Sequence, residues 1–172
     1  MIERFDAELP PDPGSSWGRA GTWGAVSGLV FASLVIATWG FVSLGLDRDV
    51  IELPGVGVLV APLAVAAATA VVALSAAVAL RRSFLGKPGS LWLSLPGGLL
   101  AWLAFAIMAG IAVSSSRPEP GASDAISTLP SQVAVGLSTS PFGIAIVPLA
   151  IIVIIAVLLS TARPSGRDRG VA

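Results

Sequence analysis

Asp47, Asp49 and Glu52 form the tightest group of ligating side chains in the sequence, and three such carboxylates could in principle hold a divalent cation through oxygen ligands. Arg48 lies inside the cluster, however, and the spacing matches no calcium-binding loop. Acidic residues with little Lys or Arg are also what a short translocated loop normally carries. The cluster therefore reads as a solvated loop, and no metal site is expected. Two basic groups, Arg81, Arg82 and Lys87, then Arg163, Arg167 and Arg169, are too short and too close to apolar sequence for nucleic acid. They read as topology determinants that also touch anionic lipid.

What is missing narrows the chemistry further. The chain has no His, Cys or Tyr. That removes the commonest general base and metal ligand, any disulfide, and haem ligation by imidazole. The remaining polar groups within the apolar stretches are Ser27, Ser33, Thr38, Ser43, Thr69, Ser75, Ser94 and the indoles of Trp39 and Trp102. Without an ionisable group among them there is no proton relay, ion-coupling site or embedded protease centre. No catalytic residue, cofactor or metal ligand is assigned, and the protein is not expected to be an enzyme.

The elements that carry these residues are plain in the charge pattern. All twenty charged side chains fall outside four apolar stretches, residues 24–46, 56–80, 91–113 and 141–161. At about 1.5 Å of rise per residue each is roughly 31 to 37 Å long as a helix, enough to cross a hydrocarbon core of about 30 Å. Hydrophobic residues make up 55% of the 172 and mean hydropathy is +0.89, which leaves no room for a separate soluble domain. The expected fold is all-α, a polytopic membrane protein with four transmembrane helices in an antiparallel bundle. Its organisation is a disordered cytoplasmic tail over 1–22, a transmembrane domain over 23–162 with spans at about 23–46, 56–80, 91–114 and 141–161, and a basic cytoplasmic tail over 163–172.

Lys and Arg set the orientation, because short loops rich in them stay cytoplasmic. Arg4 and Arg19 precede the first span, Arg81, Arg82 and Lys87 follow the second, and Arg163, Arg167 and Arg169 follow the fourth; the other two connections hold only Arg48 and Arg117. Both termini are expected in the cytoplasm of a cell with an inner, cytoplasmic membrane. The first span is expected to be retained, since Glu3, Asp6, Glu8 and Asp12 stand where a signal peptide has basic residues and the apolar run is too long. Trp17 and Trp23 are expected to anchor the tail at the headgroups.

Within the spans, Gly24, Gly28 and Ala32 recur at four-residue spacing, and Ala66, Ala70, Ala73 and Ala77 follow one helix face. Such faces allow close backbone approach in lipid and are the expected contact between the first two helices, although an Ala-rich sequence also yields them by chance. The Ile-rich fourth span is expected at the bundle edge. Ser140-Pro141 has the cap-then-proline form of a helix start and should mark the outer end of that span, with Pro148 kinking it further on. Pro96-Gly97-Gly98 places the third start near Ser94 or weakens its first turn. A transporter reading would take these breaks as a substrate site, but they lie away from the midplane. Between the third and fourth spans, Ser123 and Asp124 could cap turns carrying Ile126, Leu129, Val133 and Leu137, interrupted by Pro130 and lying on the outer membrane surface; a disordered loop fits equally. Trp102, near mid-span, is expected to donate its N–H to the Thr69 hydroxyl or to a backbone carbonyl of the second span.

The acidic turn Leu46-Asp47-Arg48-Asp49-Val50-Ile51 after the first span and Ser140-Pro141-Phe142 opening the last resemble small uncharacterised four-helix membrane proteins of high-GC Gram-positive bacteria. The near-exclusive use of Arg over Lys fits such a genome. That resemblance implies the fold and transfers no activity or site residue. Two functions remain open. One is a structural, accessory or interaction subunit that meets the lipid bilayer and another membrane protein through helix faces, with self-association undetermined. The other is a small pore or carrier for an uncharged or weakly polar solute, which would require Ser27, Thr38, Thr69 and Ser75 to converge on one cavity.

Overall fold

Six helices and a short 3-10 turn make up the described part of the chain, residues 13–47, 59–85, 91–115 and 130–161 of a computed structural model. They are α1 (Pro13–Leu46), α2 (Val60–Phe84), α3 (Ser94–Ser115, preceded by the turn Leu91–Leu93), α4 (Pro130–Thr139), α5 (Pro141–Ile144) and α6 (Ile146–Thr161). No strand occurs among the described residues. Four helical segments are long and apolar enough to cross a membrane: the α1 residues Trp17–Leu46, all of α2 and α3, and Pro141–Ser160.

Helix α1 begins at Pro13, ahead of the start expected at residue 23. Pro fits the first helical turn, where its missing N–H has no partner to lose, and the stretch that follows it carries no further proline. At the other end, Asp47 adopts a left-handed φ of 49°, a conformation that its short polar side chain tolerates, and this ends the helix. The acidic cluster's other two members, Asp49 and Glu52, lie outside the described residues. Pro96 falls in the first turn of α3, so the start near Ser94 is the one realised.

Helix α1 packs on α2, α2 on α3, and α6 against α3, α2 and α1. The α1–α2 contact rests on absent side chains. A Cβ on Gly24 would lie 2.6 Å from the Ala73 carbonyl oxygen and 2.8 Å from the Ala77 Cβ, and one on Gly28 would lie 3.1 Å from the Ala73 Cβ. The expected small-residue interface is thus present at Gly24, Gly28, Ala73 and Ala77. Ala66 and Ala70, assigned to the same stripe, are exposed. Thr69 takes the next place instead, its Cγ2 lying 3.3 Å from a Cβ placed on Gly28, because i, i+4, i+8 from Thr69 through Ala73 to Ala77 follows the straight contact line.

Helix α6 is not at the edge. Ile146, Ala150, Val153, Ile154 and Leu158 are buried in the core, and only one side of the helix, with Ile152 and Leu159, is exposed. Gly97 and Gly98 open the notch that receives it. A Cβ there would come within 2.7 Å of Ile154 Cδ1 and 2.8 Å of Ile151 Cγ1. The Pro-Gly-Gly sequence thus both starts α3 and lets bulky Ile side chains approach its backbone.

Candidate functional site

The chain turns sharply between α4 and α5, immediately ahead of the last apolar segment, Pro141–Ser160. Helix α4 ends at Thr139, Ser140 turns to extended geometry (φ −65°, ψ 159°), and α5 starts at Pro141. Pro141 has no N–H for the carbonyl of Leu137, four residues back. The Ser140 hydroxyl donates to that carbonyl at 2.6 Å and accepts from the Gly143 N–H at 3.2 Å. The cap expected from Ser140-Pro141 is therefore realised. Pro148 withholds a second bond, from the carbonyl of Ile144, and α5 gives way to α6 at Ala145, one step past that carbonyl. The i+4 backbone bonds from Ala145 N–H to Pro141 and from Leu149 N–H to Ala145 carry on across this division.

Two indoles hold the break. Trp102 donates to the Ser138 carbonyl oxygen at 3.1 Å, and Trp39 donates to that of Phe142 at 3.0 Å. Trp39 also meets the Phe142 and Phe105 rings edge to face, at centroid distances of 6.0 and 6.1 Å, joining α1, α3 and α5. The acceptor expected for Trp102, in the second span, is thus replaced by one in α4. The physical reason is supply: inside a regular helix the carbonyls are already bonded, whereas a helix that stops exposes them. The Thr69 hydroxyl is buried against α1 with no hydrogen-bond partner. A separate packed helix ahead of the Ser140 turn was not foreseen, and the signal for it was the run Pro130 to Pro141, with one proline opening each helix.

Trp102 is eight residues past the start of α3, so Ser138 sits about 20 Å along the axis from Ser115. Ser140-Pro141 opens the last apolar segment, Pro141–Ser160, as expected, and it does so beside α3 at a point short of Ser115. Helix α4 covers the half of α3 that leads to Ser115. Pro130 opens α4 instead of interrupting it, and Leu137 is buried, so this helix is packed on α3 rather than laid on a surface. Ser123, Asp124, Ile126 and Leu129 lie outside the described residues.

Beside the break, α3 and α4 leave an open groove of about 390 Å³, lined by Ala106, Ile107, Gly110, Ile111, Ser114, Ala134 and Val135. Ala106, Gly110 and Ser114 form a small-residue floor at four-residue spacing, with Ile107 and Ile111 beside it. The Ser114 hydroxyl donates to the Gly110 carbonyl at 2.8 Å, so the groove presents an apolar surface. Sequence inspection singled out such a stripe in the first two spans and missed this one.

The hydroxyls singled out for a pore do not meet in this groove. Ser27 donates to the Trp23 carbonyl of its own helix at 2.6 Å, Thr69 lies at the α1–α2 contact, and Ser75 lies against Gly97 between α2 and α3. Thr38 is half-buried on α1. Ser33, Ser138 and Thr139 likewise donate to carbonyls four residues back, the usual way for a hydroxyl to be satisfied without water.

A model for a family of unknown function, DUF6121, matches residues 22–171. The chain belongs to that family. The matched residues include the Ser140 turn and the residues that line the groove. No curated protein and no solved structure matches the chain.

Proposed function

We infer that this chain is a non-enzymatic protein of the cytoplasmic membrane, an antiparallel bundle of four spans with both termini in the cytoplasm, which acts as an interaction subunit. In this reading a helix of another membrane protein seats in the α3–α4 groove. The groove carries the inference. Its floor of Ala106, Gly110 and Ser114 admits a helix backbone to close range, where dispersion contacts replace lipid contacts, and its walls of Ile107, Ile111 and Val135 add area. Leu29, Ile36, Phe41, Leu44, Leu74 and Ile107 leave large apolar surfaces exposed around the bundle, as a lipid-facing protein does. The contact of Trp17 with Arg81 places Arg19, Arg81 and Arg82 at one end and Asp47 at the other, in keeping with the charge rule for orientation.

Photo-crosslinking residues placed singly at Ile107, Ile111 and Val135 test this in native membranes, with Ile36 and Leu74 as controls on other exposed faces. Groove positions should give one protein adduct of the same mass, absent from the controls. Adducts to lipid alone, or the same pattern from every position, would overturn the groove as a docking site.

A further inference from the structure

Where the apolar run of α2 ends, Arg81 has an aromatic partner and no carboxylate partner among the described residues. Arg81 lies in the last turn of the helix, and its guanidinium carbon sits 4.1 Å from the centre of the Trp17 ring. The ring face attracts the cation and fixes where it points. Arg81 Nε is buried and has no acceptor among the described residues. Arg82 is exposed next to it, and Arg19 lies at the same end of α1. Among the described residues the sole carboxylate is Asp47, thirty residues from Trp17 along α1, or about 45 Å. Three arginines thus gather at one end with no counter-charge among the described residues, at the level where the apolar run of α2 stops.

We propose that Arg81, oriented by Trp17 and assisted by Arg82, binds the phosphate of an anionic phospholipid headgroup in the cytoplasmic leaflet. A guanidinium offers a planar fork of N–H donors that matches two phosphate oxygens, and with Nε buried the terminal nitrogens are the ones to meet the phosphate. The bilayer supplies phosphate at this depth in large excess, and its glycerol and acyl chains continue along the exposed apolar sides of α1 and α2. The competing anion is the chain's own acidic segment, Glu3, Asp6, Glu8 and Asp12. The lipid is favoured because the arginines stand at the end of the apolar spans, where headgroups must lie once those spans are inserted. This rests on the insertion argued above, which resistance of the protein to alkaline extraction from membranes checks by itself.

The test uses the full chain in a neutral detergent, with thermal stability and native mass spectrometry as readouts. Phosphatidylglycerol, phosphatidylcholine and inorganic phosphate are titrated separately. Phosphatidylglycerol should raise the melting temperature and remain bound, phosphatidylcholine should do so far less, and inorganic phosphate at millimolar concentration should not. Arg81→Gln should weaken phosphatidylglycerol binding about tenfold or more, the loss expected for one charge-assisted contact. Arg81→Lys keeps the charge without the fork and should fall between, which serves if Arg81→Gln does not fold; Arg117→Gln, on the opposite side in the topology argued above, should have no effect. Equal binding by the Arg81 variants would overturn the site, and an equal response to inorganic phosphate would replace the lipid by a free anion. A full-length variant with Glu3→Gln, Asp6→Asn, Glu8→Gln and Asp12→Asn should bind the lipid at least as well as the parent chain. Arg81-dependent binding that appears only in that variant would make the acidic segment the occupant.

Discussion

Trp102 was expected to donate to the Thr69 hydroxyl or to a backbone carbonyl of the second span, and it does neither: the indole bonds to Ser138, and the Thr69 hydroxyl is buried without a partner. The consequences have opposite signs. Trp102→Phe keeps a ring but leaves the Ser138 carbonyl unpaired, which should lower stability by about 1 to 3 kcal/mol. Thr69→Val keeps the shape and removes an unsatisfied hydroxyl, so stability should hold or rise by about 1 kcal/mol. With no shared partner the two effects should add within about 0.5 kcal/mol in the double variant. Thermal unfolding in one detergent measures all three, and a coupled loss would restore the pairing to Thr69. From the sequence, a mid-span indole in need of an acceptor was legible. Which acceptor it finds was not, because that depends on a carbonyl freed in a helix 36 residues away.

Helices α1 and α2 meet through Gly24, and α4 meets α5 through Gly143. Each contact forbids a methyl group for a different reason. Gly24→Ala drives a Cβ into the Ala73 backbone and the Ala77 side chain, and should cost about 1 to 3 kcal/mol by forcing the helices apart. Gly143→Ala would strike the carbonyls of Leu137 and Ser138, which cannot yield without opening the break, so it should cost more. Gly40→Ala and Gly45→Ala meet nothing within 4 Å and should be neutral or stabilising by up to about 1 kcal/mol. At Ser140, alanine removes both the bond to Gly143 N–H and the one to the Leu137 carbonyl, and should lower stability by about 1 to 2 kcal/mol. Melting temperatures that rank these variants in any other order would contradict the packing described. At this scale the sequence showed the small faces of α1 and α2 and the capped start at Pro141. It did not show that the Ile-rich helix is buried, because in lipid an apolar side chain has no preference between core and surface; the notch at Gly97 and Gly98, a property of the partner helix, decides it.

At the scale of the whole molecule, four charge-free apolar stretches are continued by helical ends that carry Arg19, Arg81 and Arg82, and this much stands in the sequence as the spacing of twenty charges. The groove between α3 and α4 does not, because it exists only where a packed helix leaves part of its neighbour bare. The functional reading depends on how these segments sit in the bilayer. The chain has no native cysteine, so single cysteines can be placed without background. Labelling of intact cells with a membrane-impermeant maleimide, before and after permeabilisation, is the most direct measurement. Cysteine at Asp47 should label in intact cells, and cysteine at Arg82 or Ala172 only after permeabilisation. Labelling of Ala172 from outside, or of Asp47 and Arg82 from the same side, would contradict a four-span protein with both termini in the cytoplasm.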